Sequence, residues 1–480
     1  MQRLSLKGPI DLCTRTRNMT LAEELAQRIV SLRFDELPVE AVAAAKAGLL
    51  DTLGVALVGQ NEDATRTAAS LLLAEAKHGP SLIFGTTRRA SPLAAAFING
   101  MAANVLDFDD CNASLGGHPS APILGAVVAL AEQVGASGRQ VLAAYIAGVE
   151  TAAKIGRGVN DYHYEHGWHP TSTLGVFGVA AACTHLLGLT REETAIALAI
   201  AASHASGIKA NFGTATKSLH IGNCARNGMM AALLARQGFT AAVDAFEHKQ
   251  GFLRVYNGAG NFSTARVLEQ WAQPLDIVMP GIQVKQHPCC LSVQSAVDAM
   301  IALAKDHDLN ASEVARVDAA THRRRLEHTD RPAPGSGIDA MLSLQYCLAR
   351  ALIDKQIAIE DFKGDAHREP SVCDLMKRIQ VRAHPDSDKS EDNDFFAEIA
   401  VTMRDGAEHR IRIDRPVGHE PGQPLPLPLL EAKFRACAGR VLPLENIGSV
   451  IDLVYQCDRL DSIHAITDQL SAPSALALAG

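Results

Sequence analysis

Long apolar segments, each about the length of a helix, follow one another through the first 275 residues of the chain. Alanine is frequent in them, as in AVAAAKAGLL and ETAIALAIAAS, and it has the highest intrinsic helix propensity. Several segments are apolar on nearly every side, which is typical of helices that pack among other helices and have no face in water. The segments predicted to be helical are 40–58, 63–77, 91–106, 119–135, 139–155, 171–188 and 223–238. The pattern predicts a multilayered helical domain.

Two further helices begin with the residues of a capping box, in which a Thr side chain and a Glu three residues later satisfy the first backbone N–H groups. Thr20 and Glu23 precede one apolar segment, and Thr190 and Glu193 precede TAIALAIAASHA. Both pairs predict where a helix begins.

After about residue 275 the character of the sequence changes. The segments IVMPGIQVKQHP, EVARVDAATH and IQVRAHP are short, rich in β-branched residues and partly alternating, which predicts strands. Asp405 and Gly406 stand between two alternating segments and predict a β-hairpin. Helices are predicted in SVQSAVDAMIALAKDH and IDAMLSLQYCLARALID. This part of the chain is therefore expected to be α+β.

The 480-residue chain exceeds the roughly 250–300 residues at which single cores stop growing, so we expect two domains. Proline-rich RPVGHEPGQPLPLP predicts a stiff connector without helix, and charge-dense HPDSDKSEDND predicts an exposed connection. Helical segments return in PLLEAKFRACAGRVL and ENIGSVIDLVYQ. We predict a discontinuous helical domain at 19–275 and 425–480, an inserted α+β domain at 276–424, and a disordered leader at 1–18.

Charge and cysteine usage narrow the class of protein. The net charge is −8 and no long Lys/Arg stripe occurs, so no nucleic-acid partner is expected. An acidic ligand would need cationic contacts concentrated in a pocket. No apolar run stays uninterrupted for the ~18 residues of a membrane span. The ten cysteines lack CxxC and zinc-finger spacing, which indicates a reducing compartment. We expect a cytoplasmic protein without a membrane partner.

Four polar stretches lie where helix packing alone does not require polar groups. In VLDFDDCNASLGGHPS, three carboxylates and a histidine separate two apolar segments. The others are YHYEHGWHPTSTLG, SGIKANFGTATKSLHIGNCARNG and VKQHPCCLSV. In three of the four, a His-Pro pair opens a helix, which puts the histidine beside unpaired N–H groups that attract anions. The chemistry-bearing residues are Asp107, Asp109, Asp110, His118, His163, His166, His169, Lys209, Lys217, His220, Arg226, Lys285 and His287.

Plainer interpretations exist for each residue alone. A histidine before proline is more often a loop residue or cap than a catalyst, and the three aspartates are equally explained as caps or arginine partners. His163 and His166 are expected to face solvent. The recurrence of a glycine-containing turn, a basic residue and a helix start at four places favours a site.

Other chemistries fit the sequence less well. The acidic cluster lacks the EF-hand order and the chain has no HExxH, so we expect no metal. Cys289 and Cys290 are adjacent and poorly placed to ligate one iron–sulfur cluster. A Schiff base on Lys217 with pyridoxal phosphate would need a phosphate cradle that is not evident. No cofactor is expected.

Read in order, these stretches resemble the MmgE/PrpD family, which includes 2-methylcitrate dehydratase, cis-aconitate decarboxylase and iminodisuccinate epimerase. The resemblance covers most of the chain and is carried by LLDTLGVALVG, NGMAANVLDFDD, HPSAPILGA, GWHPTSTLG, GTATKSLHIGNCARNG, QGFL and KQHPCC. It implies a mainly α fold in which a large all-helical domain carries an inserted, smaller α+β lid domain. It also implies a homodimer.

The resemblance further implies a pocket, whose residues in this chain are Asp107, Cys111, His118, His169, Lys217 and Lys285, with His220 and His328 as further substrate contacts. Cys111 stands where the decarboxylase branch has threonine, and His328 where it has tyrosine. We hypothesise that Lys217 and Lys285 hold substrate carboxylates and that His118 and His169 transfer protons.

In this hypothesis, Asp107 orients a histidine and raises its pKa, while Asp109 and Asp110 are caps or lid contacts. The activity expected is that of a cofactor-independent lyase, a dehydratase or decarboxylase, on a di- or tricarboxylate of the citrate or aconitate type. An epimerase acting on a dicarboxylate such as iminodisuccinate is the first alternative. A non-catalytic carboxylate-binding protein is the second.

Overall fold

The structure is a computed structural model that describes residues 18–75, 78–388 and 395–472. The predicted leader lies outside the described residues except for Asn18, and so does most of the predicted exposed connection after His384. The helices of the larger, helical part are Leu21–Ser31, Val39–Gly59, Asp63–Glu75, Pro92–Asn104, Ser120–Val134, Gly138–Val159, Tyr162–Glu165, Pro170–Thr173, Gly175–Leu186, Arg191–Ala202, Thr216–Arg236, Phe252–Asn257, Thr264–Leu268, Leu427–Ala438, Leu444–Tyr455 and His464–Thr467.

Small residues let the central helices of this part approach one another closely. A Cβ on Gly148, in helix Gly138–Val159, would lie 2.7 Å from the backbone oxygen of Gly178, in helix Gly175–Leu186, and the reverse holds for Gly178. Both helices are buried almost along their whole length. The alanine and glycine content of these segments therefore sets the distance between helix axes as well as the helix propensity.

The smaller part contains a four-stranded sheet. Its strands run in the spatial order Ile379–Ala383, Val314–Thr321, Ala397–Met403, Glu408–Ile413; the first pair is parallel and the others are antiparallel. The helices of this part are Gln294–Asp306, Arg323–Thr329, Gly337–Ala340, Leu344–Asp354 and Pro370–Met376. Gln294–Asp306 and Leu344–Asp354 pack their apolar faces together and share one hydrophobic cluster with the sheet. The fold is mainly α with a smaller α+β part, as predicted.

Two large hydrophobic cores and one small cluster, which includes Leu73, Phe97 and Met101, lie among the described residues. The first combines buried residues between 21 and 284 with residues between 425 and 472. The second combines residues between 289 and 403 with a few from the helical part, Val55, Val58, Val105, Leu106, Phe108 and Cys437. The α+β part, called the lid below, thus rests on the helix ends near residues 58 and 105. The boundaries 275/276 and 424/425 stay a prediction.

Local predictions are confirmed at several places. Both capping boxes form, at Thr20 and at Thr190. The strands Ala397–Met403 and Glu408–Ile413 make the hairpin predicted around Asp405. The strand predicted within IVMPGIQVKQHP is wrong: Ile277–Gly281 is a helical turn, because Pro280 and Gly281, with φ +95°, bend the chain. Of the residues in this segment, only Gln283 forms a β-bridge, and its partner is Cys111.

Helix Val39–Gly59 is, within the described ranges, the one helix whose length and apolarity would suit a membrane span. Its most apolar stretch is 72% buried inside the fold. It packs against Leu427–Ala438 and Pro92–Asn104 as a core helix, so it is weak evidence for a membrane.

Candidate active site

A cavity of about 330 Å³ lies between the helical part and the lid. Its walls carry six of the eight residues predicted for the site, namely Asp107, Cys111, His118, His169, Lys217 and His328. Further polar side chains come from both parts of the fold: Asn112, Asn160, Asp161, Tyr164, Thr171, Gln283, Ser292, Arg324, Arg325 and Arg415. The stretches separated along the sequence therefore do converge on one place.

The loop between helices Pro92–Asn104 and Ser120–Val134 carries the acidic cluster. Asp107 adopts a left-handed conformation with φ +49° at the end of the first helix. Asn112 closes the loop, since its Nδ2 donates to the backbone oxygens of Asp276 and Gly281 at 3.2 and 3.0 Å. Cys111 and Gln283 exchange two backbone hydrogen bonds, of 3.0 and 2.7 Å. The loop is thus fixed to the segment that enters the lid.

Asp107 is held between two lysines. Its Oδ1 lies 2.6 Å from Lys285 Nζ and its Oδ2 lies 2.8 Å from Lys217 Nζ. Lys285 Nζ also donates to the backbone oxygen of Asp107 at 2.7 Å. Burial alone would raise the pKa of Asp107, but the charges of both lysines outweigh it and hold the pKa well below its usual range. Asp107 is an anion that anchors two ammonium groups.

His118 is surrounded by acceptors. Its Nδ1 lies 2.9 Å from the backbone oxygen of Asp110, 3.3 Å from Asp109 Oδ1 and 3.6 Å from Cys111 Sγ. Its Nε2 lies 3.6 Å from Asp107 Oδ1. Burial lowers the pKa of His118, but the charge of Asp109 overrides it and the pKa rises to about 10. His118 is therefore an imidazolium at neutral pH.

Two predictions about the aspartates change with this geometry. Asp109, predicted as a cap or lid contact, is the carboxylate that charges His118, and Asn104 Nδ2 holds it with contacts of 3.1 and 3.0 Å. Asp107, predicted to raise the histidine pKa, is the lysine anchor. The sequence could not separate the two, because they differ by two positions and by the left-handed turn at Asp107.

Asp110 does support a helix start, as predicted. Its carboxylate accepts from the backbone N–H of Ser120 at 3.4 Å and from the Ser120 hydroxyl, which also contacts the Tyr145 hydroxyl. Burial and the nearby carboxyl of Asp51 raise the pKa of Asp110 to about 7. Asp51 is itself paired with Lys433 at 2.6 Å. A buried polar network therefore supports the loop from beneath.

His169 is the neutral partner of His118. It precedes Pro170, which starts a short helix, and its backbone N–H donates to Gly207 O at 3.1 Å. Its Nδ1 lies 3.1 Å from Nδ1 of His220, so one of the two rings donates and the other accepts. Burial, together with the charge of Lys217, holds the pKa of His169 well below its usual range.

Two predicted residues do not reach the cavity wall. Lys285 is fully buried behind Asp107 and gives its ammonium group to that residue, so the geometry does not support direct substrate binding by Lys285. His220 stands behind His169 and acts on it through the Nδ1 contact. His163, expected to face solvent, is fully buried between Asn257 and Thr173, at 2.8 and 2.7 Å, because neighbouring aromatic rings cover it. His166 is exposed, as expected.

The lid contributes His328 and a group of arginines. His328 Nε2 lies 2.9 Å from Ser292 Oγ. Burial, and then the charge of Arg325, lower the pKa of His328 to about 3, so it is neutral. The sequence interpretation missed Arg324 and Arg325. The signal that could have revealed them is the arginine run in THRRRLEHTDRP, directly before His328.

Asp107, Asp109 and His118 have ligand atoms within 4.8 Å of one another, a spacing that suits a metal ion. The donor set fits an ion poorly, however, because both oxygens of Asp107 are in contact with ammonium groups. A divalent cation would face Lys217 and Lys285 at short range. The lysines supply at this place the positive charge that a metal would supply.

The cavity thus brings two buried histidines, His118 beside Asp109 and His169 beside His220, into one sheltered space. Comparison with known proteins identifies the family. The MmgE/PrpD N-terminal domain matches residues 23–265, and the MmgE/PrpD C-terminal domain matches residues 287–456. The chain belongs to the MmgE/PrpD family.

Curated relatives extend over nearly the whole chain. Cis-aconitate decarboxylase of Homo sapiens is 31% identical over 471 residues, which are 95% of this chain and 95% of that protein. Cis-aconitate decarboxylase of Aspergillus terreus is 25% identical over 94% of this chain and 96% of its own. 2-Methylcitrate dehydratase of Cupriavidus necator is 26% identical over 86% and 89%. Decarboxylases and dehydratases of this kind are lyases, so the chain is an enzyme of the MmgE/PrpD lyase type.

Proposed function

We propose that this chain is a cofactor-independent lyase for a small tricarboxylate of the citrate or aconitate type. The observation that carries the proposal is the pair of buried histidines that line one cavity. His118 Nδ1 lies 3.3 Å from Asp109 Oδ1, which raises its pKa, whereas burial and the charge of Lys217 lower the pKa of His169. Breaking a bond beside a carboxylate builds negative charge on carbon, and fixed cations with a proton donor in a sheltered site stabilise that charge.

Decarboxylation is the first candidate, because relatives named cis-aconitate decarboxylase match 94–95% of the chain, at up to 31% identity, whereas 2-methylcitrate dehydratase of Cupriavidus necator matches 86% at 26% identity. In this reaction a C–C bond breaks and one carboxylate leaves as CO₂. The bonding electron pair passes into the remaining unsaturated acid, and His118 Nε2 delivers a proton to carbon. His118 then recovers a proton from water. General acid catalysis of this kind contributes typically ~10²–10⁴-fold.

Dehydration is the second candidate, and the neutral state of His169 favours it. There His169 removes a proton from the carbon beside a carboxylate, while His118 protonates the departing hydroxyl, which leaves as water. Both reactions use the same acid, and only dehydration needs the base. An epimerase would use one group as base and a protonated group as acid on opposite faces of the carbon, so the two histidines do not separate it from a lyase. The names of the relatives, decarboxylase and dehydratase, are what favour a lyase.

Lys217 and Asp107 contribute fixed charge. Lys217 lines the cavity beside Asp107, and its ammonium group can contact a substrate carboxylate there. Lys285 acts through Asp107, because it fixes the carboxylate that in turn fixes Lys217. Phe212 shelters this side, with its ring centre 5.6 Å from Lys217 Nζ and 4.9 Å from the ring of His169.

The test is turnover of cis-aconitate, citrate, 2-methylcitrate and iminodisuccinate, followed by NMR in D₂O with and without a chelator. We expect loss of CO₂ or water that the chelator leaves unchanged, and a fall of about 10²-fold or more in His118→Gln. His166→Gln, at an exposed histidine, is the control. Deuterium uptake without loss of CO₂ or water would instead establish an epimerase, and binding without exchange a non-catalytic protein.

We also propose a cytoplasmic location and a homodimer. The nine cysteines in the described part of the chain are all unpaired, which is usual in a reducing compartment. Light scattering coupled to gel filtration tests the dimer, and fractionation of the native cells tests the location. A monomer at micromolar concentration, or protein recovered outside the cytoplasm, would contradict them.

A further inference from the structure

The tyrosines of the chain differ in what their hydroxyl groups contact. Four of the six contact a protein oxygen through the hydroxyl, namely Tyr145, Tyr256, Tyr346 and Tyr455. Tyr162 lies at the surface. Tyr164 lines the cavity, and its hydroxyl has no hydrogen-bond partner among the residues that the structure describes. A tyrosine hydroxyl that is withdrawn from bulk water usually has a partner, so a ligand is the expected partner of Tyr164.

Lys209, which the sequence marked as a chemistry-bearing residue, holds Tyr164 in place. Its Nζ lies 3.5 Å from the centre of the Tyr164 ring and donates to the backbone oxygen of Tyr164 at 3.1 Å. The backbone N–H of Lys209 donates to Gly167 O at 2.8 Å, so Lys209 is itself tied to the segment that leads to His169. A cation over the ring face stabilises this arrangement. A side chain fixed in this way loses little freedom when its hydroxyl binds a ligand.

The surroundings of the Tyr164 hydroxyl favour an anionic acceptor. Burial raises the pKa of Tyr164 to about 12, so the hydroxyl keeps its proton at neutral pH and can donate it to a hydrogen bond. The two carboxylates next to Tyr164 in the chain, Asp161 and Glu165, lie 3.0 and 3.6 Å from Arg324, whose guanidinium is 5.7 Å from the Tyr164 ring centre. Positive charge near the ring attracts an anion, and an ionised acceptor makes the stronger hydrogen bond.

We propose that the Tyr164 hydroxyl binds the substrate by donating a hydrogen bond to one of its carboxylates. The inference rests on the proposed function and adds a neutral donor to the charged groups of Lys217 and His118. It can be tested without a change of charge, because Tyr164→Phe removes a single oxygen atom and keeps the ring over which Lys209 lies.

The experiment measures the binding of two tricarboxylates that differ by one hydroxyl group. Tricarballylate carries three carboxylates and no hydroxyl, and citrate is the same molecule with a hydroxyl on the central carbon. Calorimetry gives the Kd of each for the wild type, Tyr164→Phe and the matched control Tyr162→Phe, which removes the hydroxyl of a surface tyrosine outside the cavity wall. Circular dichroism verifies that each variant folds.

We expect Tyr164→Phe to weaken the binding of both acids by about 10-fold or more, and Tyr162→Phe to leave both within about 2-fold. Tricarballylate binding that Tyr164→Phe leaves unchanged would overturn the inference, even if citrate binding weakened, because the acceptor would then be the citrate hydroxyl. Equal weakening in Tyr162→Phe would overturn it as well, because the loss would not depend on the cavity. A wild type that binds neither acid would contradict the substrate class of the proposed function itself, which separates the two failures.

Discussion

At the scale of single residues, the site separates charge by giving each ionisable group a different neighbour. His118 and His169 are both buried, and burial favours the neutral form of a histidine. His118 has Asp109 at 3.3 Å and stays charged, whereas His169 lies near Lys217 and stays neutral. In the proposed mechanism, two residues of one type therefore serve as acid and base because of their surroundings.

Asp109→Asn removes the charge that raises the pKa of His118. In the wild type this pKa is raised to about 10, so the imidazolium is present at neutral pH and is lost as the pH rises through about 10. In the variant the pKa falls, so activity should be lost at lower pH, and kcat at pH 8 should drop by about 10-fold or more.

A pH profile of kcat measures this shift, with Asp63→Asn, at a fully solvated side chain, as the matched control. If the pH at which kcat falls on the alkaline side is unchanged in Asp109→Asn, another group raises the pKa of His118.

Lys285→Met should destabilise the fold. It leaves the buried carboxylate of Asp107 with one lysine in place of two, and breaking a buried ion pair typically lowers the free energy of unfolding by about 3–5 kcal/mol. Asp107→Asn breaks the same pair, so the loss in the double variant Asp107→Asn/Lys285→Met should be smaller than the sum of the two single losses. Urea unfolding of the three variants measures it. Additive losses would argue against the pairing as the cause.

The types of these residues follow from the sequence, but their pairing does not. Asp107 and Lys285 are separated by 178 positions, and spacing carries no information about a contact over that distance. The family resemblance brought Asp107, His118, His169 and Lys217 to one pocket correctly. The resemblance could not predict that Asp109 pairs with His118 or that Lys285 lies behind Asp107. Both contacts depend on the left-handed turn at Asp107 and on the directions of the side chains.

At the scale of elements, helix starts and the hairpin were predictable because a few neighbouring residues determine them. Thr20 with Glu23, and Asp405 with Gly406, are local signals that the structure reproduces. The structure of the segment at 277–281 was not predictable in this way. Its β-branched residues predict a strand, whereas Pro280 and the packing of Asp276 impose a turn. Tertiary contacts override propensity there.

Gly178→Ala and Gly448→Ala should have opposite effects on stability. A Cβ at Gly178 would lie 2.7 Å from Gly148 O, so the two helices must separate and the free energy of unfolding should fall by about 1–3 kcal/mol. Gly448, within helix Leu444–Tyr455, has open space around it, and alanine there should add about 0.5–1 kcal/mol. Thermal unfolding distinguishes them; equal shifts would show that helix propensity alone governs both sites.

At the scale of the whole molecule, the proposed anionic substrate has to approach a chain of net charge −8. Positive side chains line the cavity where the lid meets the helical part. Those on the lid are partly exposed, and Arg324 has 27% of its side chain in solvent, whereas Lys285 is fully buried. Dissolved ions screen the exposed charges first.

Raising sodium chloride from about 0.05 to 0.5 M should therefore raise KM by about 3- to 10-fold and leave kcat nearly unchanged. Buried pairs around Asp107 are hardly screened, which preserves the chemical step. Initial rates at both concentrations measure this, with sucrose at equal osmolality as control. A fall in kcat with constant KM would place the screened charges at the reacting carbon.

The backbone bridge between Cys111 and Gln283 also has a mechanical consequence. Its two hydrogen bonds, of 3.0 and 2.7 Å, join the loop that carries His118 to the segment that leads into the lid. The position of His118 and the position of the lid are therefore coupled through the backbone.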